Sequence, residues 1–256
     1  MTATKDAAPL TPDITVPRVR RRARPAPFPL NLYQTAIGKK WVMALTGIGL
    51  MGFVLAHMVG NFKMYLGPHA IDTYSESLRA LLYPLLPAFW VLWAMRIGLI
   101  VMFALHLHAA YSLTIMNRRA RPVSYQSRRD YIAANFASRT MRWSGIILLA
   151  FIVIHLANLT WGWLPAGMEH PHEEVPVYDN IATSLSIPWL AAIYIVAQLA
   201  LAVHLYHGAW SLFQSLGANN PTLNPLRRGF AVAFAALVCG VNISFPIAVQ
   251  LGIVGP

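Results

Sequence analysis

Five uninterrupted apolar stretches, at roughly 41–62, 88–116, 143–163, 188–214 and 229–251, constrain this chain more than any other feature. Each reaches the ~20 residues a helix needs to cross ~30 Å of hydrocarbon. In lipid every backbone N–H and C=O must be paired within its own segment, and none of the stretches shows the alternation of barrel strands. The expected fold is therefore an all-α integral membrane protein, a five-transmembrane-helix bundle over residues 39–256 preceded by a Pro- and Arg-rich arm at 1–38. Composition agrees, since 57% hydrophobic against 11% charged residues lies outside the range of a soluble domain of this length.

Charge orients the bundle. All but three of the 20 Lys and Arg fall in the arm, at Lys39 and Lys40, between 117 and 142, or at Arg227 and Arg228. By the positive-inside rule these segments belong to the cytoplasmic side. Asp72, Glu76, Glu169, Glu173, Glu174 and Asp179 then face outward in loops 63–87 and 164–187, and the C-terminus ends outside. The expected location is the cytoplasmic (inner) membrane of a bacterium, with the N-terminal arm in the cytoplasm and no cleavable signal peptide. The net charge of +11 reads as a topology signal with a pull toward anionic headgroups or an acidic partner. No nucleic acid is expected, because the basic stretch 18–24 has no soluble recognition domain beside it.

Tryptophans mark the same boundaries: Trp41, Trp90, Trp93, Trp143, Trp161, Trp163, Trp189 and Trp210 fall near helix ends, as in an aromatic belt. Pro84 and Pro87 precede the second stretch, Pro122 follows it, Pro165 and Pro171 lie in the outer loop, and Pro188 opens the fourth. Pro246 is expected to bend the outer end of the fifth. No internal repeat with a period of 20–50 residues is apparent. Too little chain lies outside the bilayer to build a catalytic site for a polar substrate, so such chemistry is expected from another subunit. With Cys239 as the single cysteine, an iron–sulfur cluster also has to belong to a partner.

Histidines at membrane depth carry the functional signal, because an ionisable side chain in hydrocarbon needs a function or a partner. His57, His106 with His108, His155, and His204 with His207 place at least one imidazole on each of the first four helices. At 1.5 Å per residue, His57 and His155 lie ~24 and ~20 Å from the inner edge, and His106 and His207 ~17 and ~15 Å from it on the descending helices. Two histidines from facing helices at one depth suit six-coordinate haem iron, so the expectation is two b-type haems stacked across the membrane. His106 and His108 are ~200° apart around a helix and only one can face the interior, whereas His204 and His207 share a face and geometry alone leaves both open. Metal transport is the main rival, yet it usually wants carboxylates beside the histidines. Gly47, Gly49, Gly52, Gly208 and Ala209 suit either close helix packing or the approach of a flat macrocycle.

The stretches GLMGFVLAHMVGN at 49–61, ALHLHAAYSLTIMNRRARP at 104–122, SRTMRWSGIILLAFIVIHL at 138–156 and LALAVHLYHGAWSLFQSLG at 199–217 together resemble the single-chain, five-helix, dihaem cytochrome b subunit of succinate dehydrogenase and fumarate reductase. The resemblance implies His57 and His155 as ligands of the outer (distal) haem, and His106 and His207 as ligands of the inner (proximal) haem. Spacing to Ala110, Leu113, Asn117 and Arg121 selects His106 over His108. The His-Gly pair followed by Trp210 and Ser211 selects His207, with His204 the live competitor. It further implies a flavoprotein subunit that oxidises succinate, an iron–sulfur subunit that relays electrons, and quinone, menaquinone by family, as the acceptor in the membrane. No dicarboxylate chemistry is then expected in this chain. Arg96 is a candidate for a haem propionate, and Glu76, beside Tyr74 and His69, for proton exchange at a quinone. Where some members carry a glutamate beside the fourth-helix ligand, this chain has Leu205 and Tyr206, which puts proton transfer by that route in doubt. The competing readings are a cytochrome b anchor of a hydrogenase or formate dehydrogenase, and a haem-free transporter.

Overall fold

The computed structural model describes residues 26–120, 136–164, 176–218 and 220–255, the side chains of 136–139 excepted. Most of the arm, the basic stretch 18–24, Pro122, Pro165, Pro171, Glu169, Glu173 and Glu174 lie outside the described residues. Eight α-helices are described: α1 (Leu30–Tyr33), α2 (Ala36–Phe62), α3 (Pro68–Arg79), α4 (Trp90–Arg119), α5 (Phe136–His155), α6 (Val177–Ser186), α7 (Pro188–Ser215) and α8 (Asn224–Gln250). Five helical spans, Ala36–Leu66, Trp90–Arg119, Thr140–Thr160, Pro188–Ser215 and Pro221–Gln250, are long and apolar enough to cross a membrane. The protein is an all-α, multi-pass membrane bundle.

The local sequence explains the ends. Thr35 opens α2 by accepting the Gly38 N–H at 2.9 Å, and Pro188 occupies the first turn of α7, where a missing N–H costs nothing. Phe89, at φ 70°, ends the short turns of 80–88 just before α4. α8 runs through Pro246, which is fully buried, to Gln250. Trp41, Trp90, Trp93, Trp143, Trp161, Trp163 and Trp189 are all exposed at the ends of spans, the position in which an indole can meet both acyl chain and water.

Packing is uneven. α8 lies along α7, α7 along α5 and α2, and α4 along α2. α4 buries only Ala109 and Leu113, while α8 buries a run from Arg227 to Val249. One apolar cluster at mid-depth joins Met58, Leu205, Ala235, Val238 and Cys239. A second, at the end away from the basic residues, joins Met64, Ile71, Tyr178, Leu185, Phe245 and Val249. Outward faces carry Leu45, Ile97, Ile100, Val101, Ile146, Val153, Val196, Leu199 and Leu237, a surface that only lipid or another apolar chain satisfies.

Sequence patterning foresaw the spans but read 63–87 and 164–187 as loops. Both contain helices, α3 and α6, which pack on each other and cap the bundle. Asp72 of α3 accepts the Tyr178 N–H at 3.0 Å, supplying α6 with the acceptor that its own N-cap, Pro176, lacks. Tyr74 of α3 lies against Gly60, where an added Cβ would meet its Cε1 at 2.8 Å.

Candidate functional site

His57 is on α2, His106 on α4, His155 on the last turn of α5 and His204 and His207 on α7. These four helices are linked by the α4–α2, α2–α7 and α7–α5 contacts. At the level farther from the basic end, the His57 and His155 rings stand 5.9 Å apart between centroids at 87°. Each leans on an aromatic of its own helix, His57 on Phe53 and His155 on Phe151. At the other level, His204 lies within electrostatic reach of both His106 and His207.

Hydroxyl groups decide how these rings are presented. Thr46 Oγ1 gives its proton to the Val42 carbonyl at 2.7 Å and faces His106 Nδ1 at 3.2 Å. Ser144 Oγ gives its proton to the Met141 carbonyl at 2.9 Å and faces His204 Nδ1 at 3.2 Å. Tyr194 Oη gives its proton to Asn158 Oδ1 at 2.9 Å and faces His155 Nδ1 at 3.2 Å. A hydroxyl has one proton to donate, and where it goes to the carbonyl or amide oxygen the hydroxyl oxygen accepts from the ring and the imidazole Nδ1 carries the hydrogen. In that tautomer Nε2 is the unprotonated nitrogen of each ring. This is how metal-binding histidines are oriented: an outer acceptor on one nitrogen, the iron on the other.

His207 is placed differently. Its Nδ1 is buried without a hydrogen-bond partner among the described residues, so it lacks the hydroxyl that His106 and His204 meet at that nitrogen. His108 is exposed and turned toward α1, where Tyr33 Oη bonds its Nδ1. Partial burial raises Tyr33 above the ordinary phenol value. Arg96 is exposed near the start of α4, its guanidinium 5.0 Å over the Trp93 ring. Glu76 is exposed on α3 beside, not within, a groove of about 320 Å³ lined by Lys63, His69, Thr73, Tyr74 and Ser77.

The geometry exposes a repetition that a search at periods of 20–50 residues misses. Thr46-Gly47, Phe53 and His57 on α2 recur as Ser144-Gly145, Phe151 and His155 on α5, and His106 on α4 recurs as His204 on α7, all at one offset of 98 residues. Contacts repeat with it. Each hydroxyl meets the histidine 60 residues on, and the glycine beside it faces the same ring, with an added Cβ at Gly47 3.6 Å from His106 Cε1 and one at Gly145 3.7 Å from His204 Cε1. α2–α4 and α5–α7 are thus two copies of one helical hairpin inserted in the same sense. Under that relation His57 and His155 exchange, and so do His106 and His204. The counterpart of His207 is Ala109.

The spacing of His57 and His155 is compatible with a haem iron. Two axial imidazoles on one iron stand about 6 Å apart between centroids, from metal–nitrogen bonds of ~2 Å, and His57 and His155 have that spacing. Among the described residues no three His, Cys, Asp or Glu gather as a protein-only metal site. Haem asks for two protein ligands, because the macrocycle supplies the other four. No family model, curated protein or solved structure matches the chain.

Proposed function

We propose that this chain is the dihaem cytochrome b anchor of a succinate:quinone oxidoreductase, with His57 and His155 as ligands of the outer haem and His106 and His204 as ligands of the inner one. The observation that carries the reading is the set of three imidazoles that each meet a hydroxyl at Nδ1, on helices packed in the order α4, α2, α7, α5, which leaves Nε2 as the nitrogen to offer a metal. His204 takes the place that the family resemblance gave to His207, because His204 meets a hydroxyl at Nδ1 and is the repeat partner of His106.

Haem held there by His57 and His155, and by His106 and His204, would supply one-electron reduction and reoxidation at two depths of the bundle. This chain's own part is to hold. Thr46, Ser144 and Tyr194 fix the rings, and the apolar helices exclude water. The basic end, with Lys40, Arg118, Arg119 and Arg228 exposed, suits an acidic iron–sulfur or flavoprotein partner on the cytoplasmic face. Succinate chemistry would belong to those subunits and quinone, by family menaquinone, would be the membrane-side reactant. Arg96, near the start of α4, is the candidate partner for a haem propionate.

The test is a dithionite-reduced minus oxidised spectrum of the protein purified from membranes, with pyridine haemochrome quantification. The expected result is b-type α and Soret bands at two haems per chain, with a flavin-bearing, succinate-oxidising partner in the same preparation. A colourless protein would sink the haem reading. A nickel- or molybdenum-bearing partner would move the chain to the anchor of a hydrogenase or formate dehydrogenase.

A further inference from the structure

We infer that Asn158 is a positioning residue for one member of the outer pair, holding the Tyr194 hydroxyl so that it locks His155, and not His57, in the Nδ1–H tautomer. The inference deepens the reading of His155 as a ligand and rests on it only in its redox part.

Directly after His155 the helix widens into a π turn over Leu156–Thr160, closed by the Trp161 N–H on the Leu156 carbonyl at 2.8 Å. Such turns swing side chains out of ordinary helical register and recur at functional sites. Here the turn drives Asn158 inward until it is 1% exposed. Its Nδ2 donates to the Leu164 carbonyl at 2.7 Å and to Ser184 Oγ at 3.1 Å. Since a carbonyl can only accept, the amide orientation is set and Oδ1 is left to face Tyr194 Oη. Tyr194 spends its proton on Oδ1, so its oxygen accepts from His155. Reversing any link reverses the next.

The repeat shows that this relay is not a by-product of packing a histidine in the bundle. The counterpart of Asn158 is Gly60 and that of Tyr194 is Arg96. Neither offers His57 an acceptor, and among the described residues His57 makes ring contacts only. The inner level keeps matched hydroxyls on both rings, while the outer level has one locked ring and one free ring. A fixed Nδ1–H···O bond makes the imidazole a stronger electron donor, which favours ferric iron and lowers the potential of the haem it holds.

The experiment uses the full chain in nanodiscs with 15N-labelled histidine, first as purified without added haem. His155 is expected to give a single Nδ1–H signature, and Asn158→Leu or Tyr194→Phe to convert it to a mixture with the Nε2–H form. Asn158→Asp, which keeps an oxygen toward Tyr194, should restore the single signature. Unchanged His106 and His204 resonances show that each variant is folded. With haem bound, potentiometric titration should move one of the two midpoints upward in Asn158→Leu and Tyr194→Phe and leave the other in place. A mixed or Nε2–H tautomer in the unaltered chain, a tautomer indifferent to both substitutions, or two unmoved midpoints would overturn the inference. A chain that never binds haem would refute the proposed function, with the tautomer measurement still deciding the role of Asn158.

Discussion

A buried imidazole presents a usable lone pair only when its other nitrogen is occupied, which makes small hydroxyls as informative as the histidines themselves. His204 and His207 lie only ~4.5 Å apart along α7, so counting residues from the membrane edge leaves them unresolved. The partner at Nδ1 separates them. His204→Ala is expected to halve the haem content, from two to one per chain by pyridine haemochrome, whereas His207→Ala should retain both. His155→Ala and His57→Ala should each remove the outer haem and leave the inner signal. Ser144→Ala keeps the ligand but strips its acceptor, leaving His204 Nδ1–H unpaired. A loss of roughly 10–100-fold in affinity is expected at the inner site, read by haem titration. The sequence displayed the histidines because they are costly in hydrocarbon. It hid Thr46 and Ser144 because a hydroxyl can satisfy itself on its own helix's carbonyl, and Tyr194 because its partner Asn158 lies on another helix 36 residues away.

At the scale of elements, the long spans were legible because twenty apolar residues admit one solution in lipid. α3 and α6 were not, because each is short and amphipathic and gains its stability from the other rather than from its own pattern. Pro68 at the first turn of α3, with Ile71, Tyr74 and Leu78 following at helical spacing, was the available signal. The join between the two helices is the Asp72 acceptor at the start of α6. Asp72→Ala is expected to cost about 1 kcal/mol locally, as loss of an N-cap does. Amide exchange over Tyr178–Ile181 should then speed up about fivefold while the spans and haem spectrum stay unchanged. The π turn after His155 was equally hidden, since it follows from where Asn158 finds its partners in α6 and α7 and not from any local propensity.

For the whole molecule, lipid contact and internal repetition set the architecture together. Two hairpins of the same insertion sense give matched levels of histidines, and α8, packed on α7, completes the bundle. Because the relation is between segments 98 residues apart and holds at scattered positions, it becomes visible only when the contacts of Thr46 and Ser144 are set side by side. Five crossings put Arg119 and Arg228 at one end and Ser77 and Ser186 at the other, and all four are exposed. The positive-inside rule leads us to propose the Arg end as the cytoplasmic one. Single-cysteine labelling tests that assignment without a cysteine-free background, because Cys239, the sole thiol, is buried on α8 and should resist a membrane-impermeant maleimide in the folded protein. In intact spheroplasts Ser77→Cys and Ser186→Cys are expected to label at once. Arg119→Cys and Arg228→Cys should label only after lysis, and the opposite pattern would invert the bundle and move the basic docking face to the other side of the membrane.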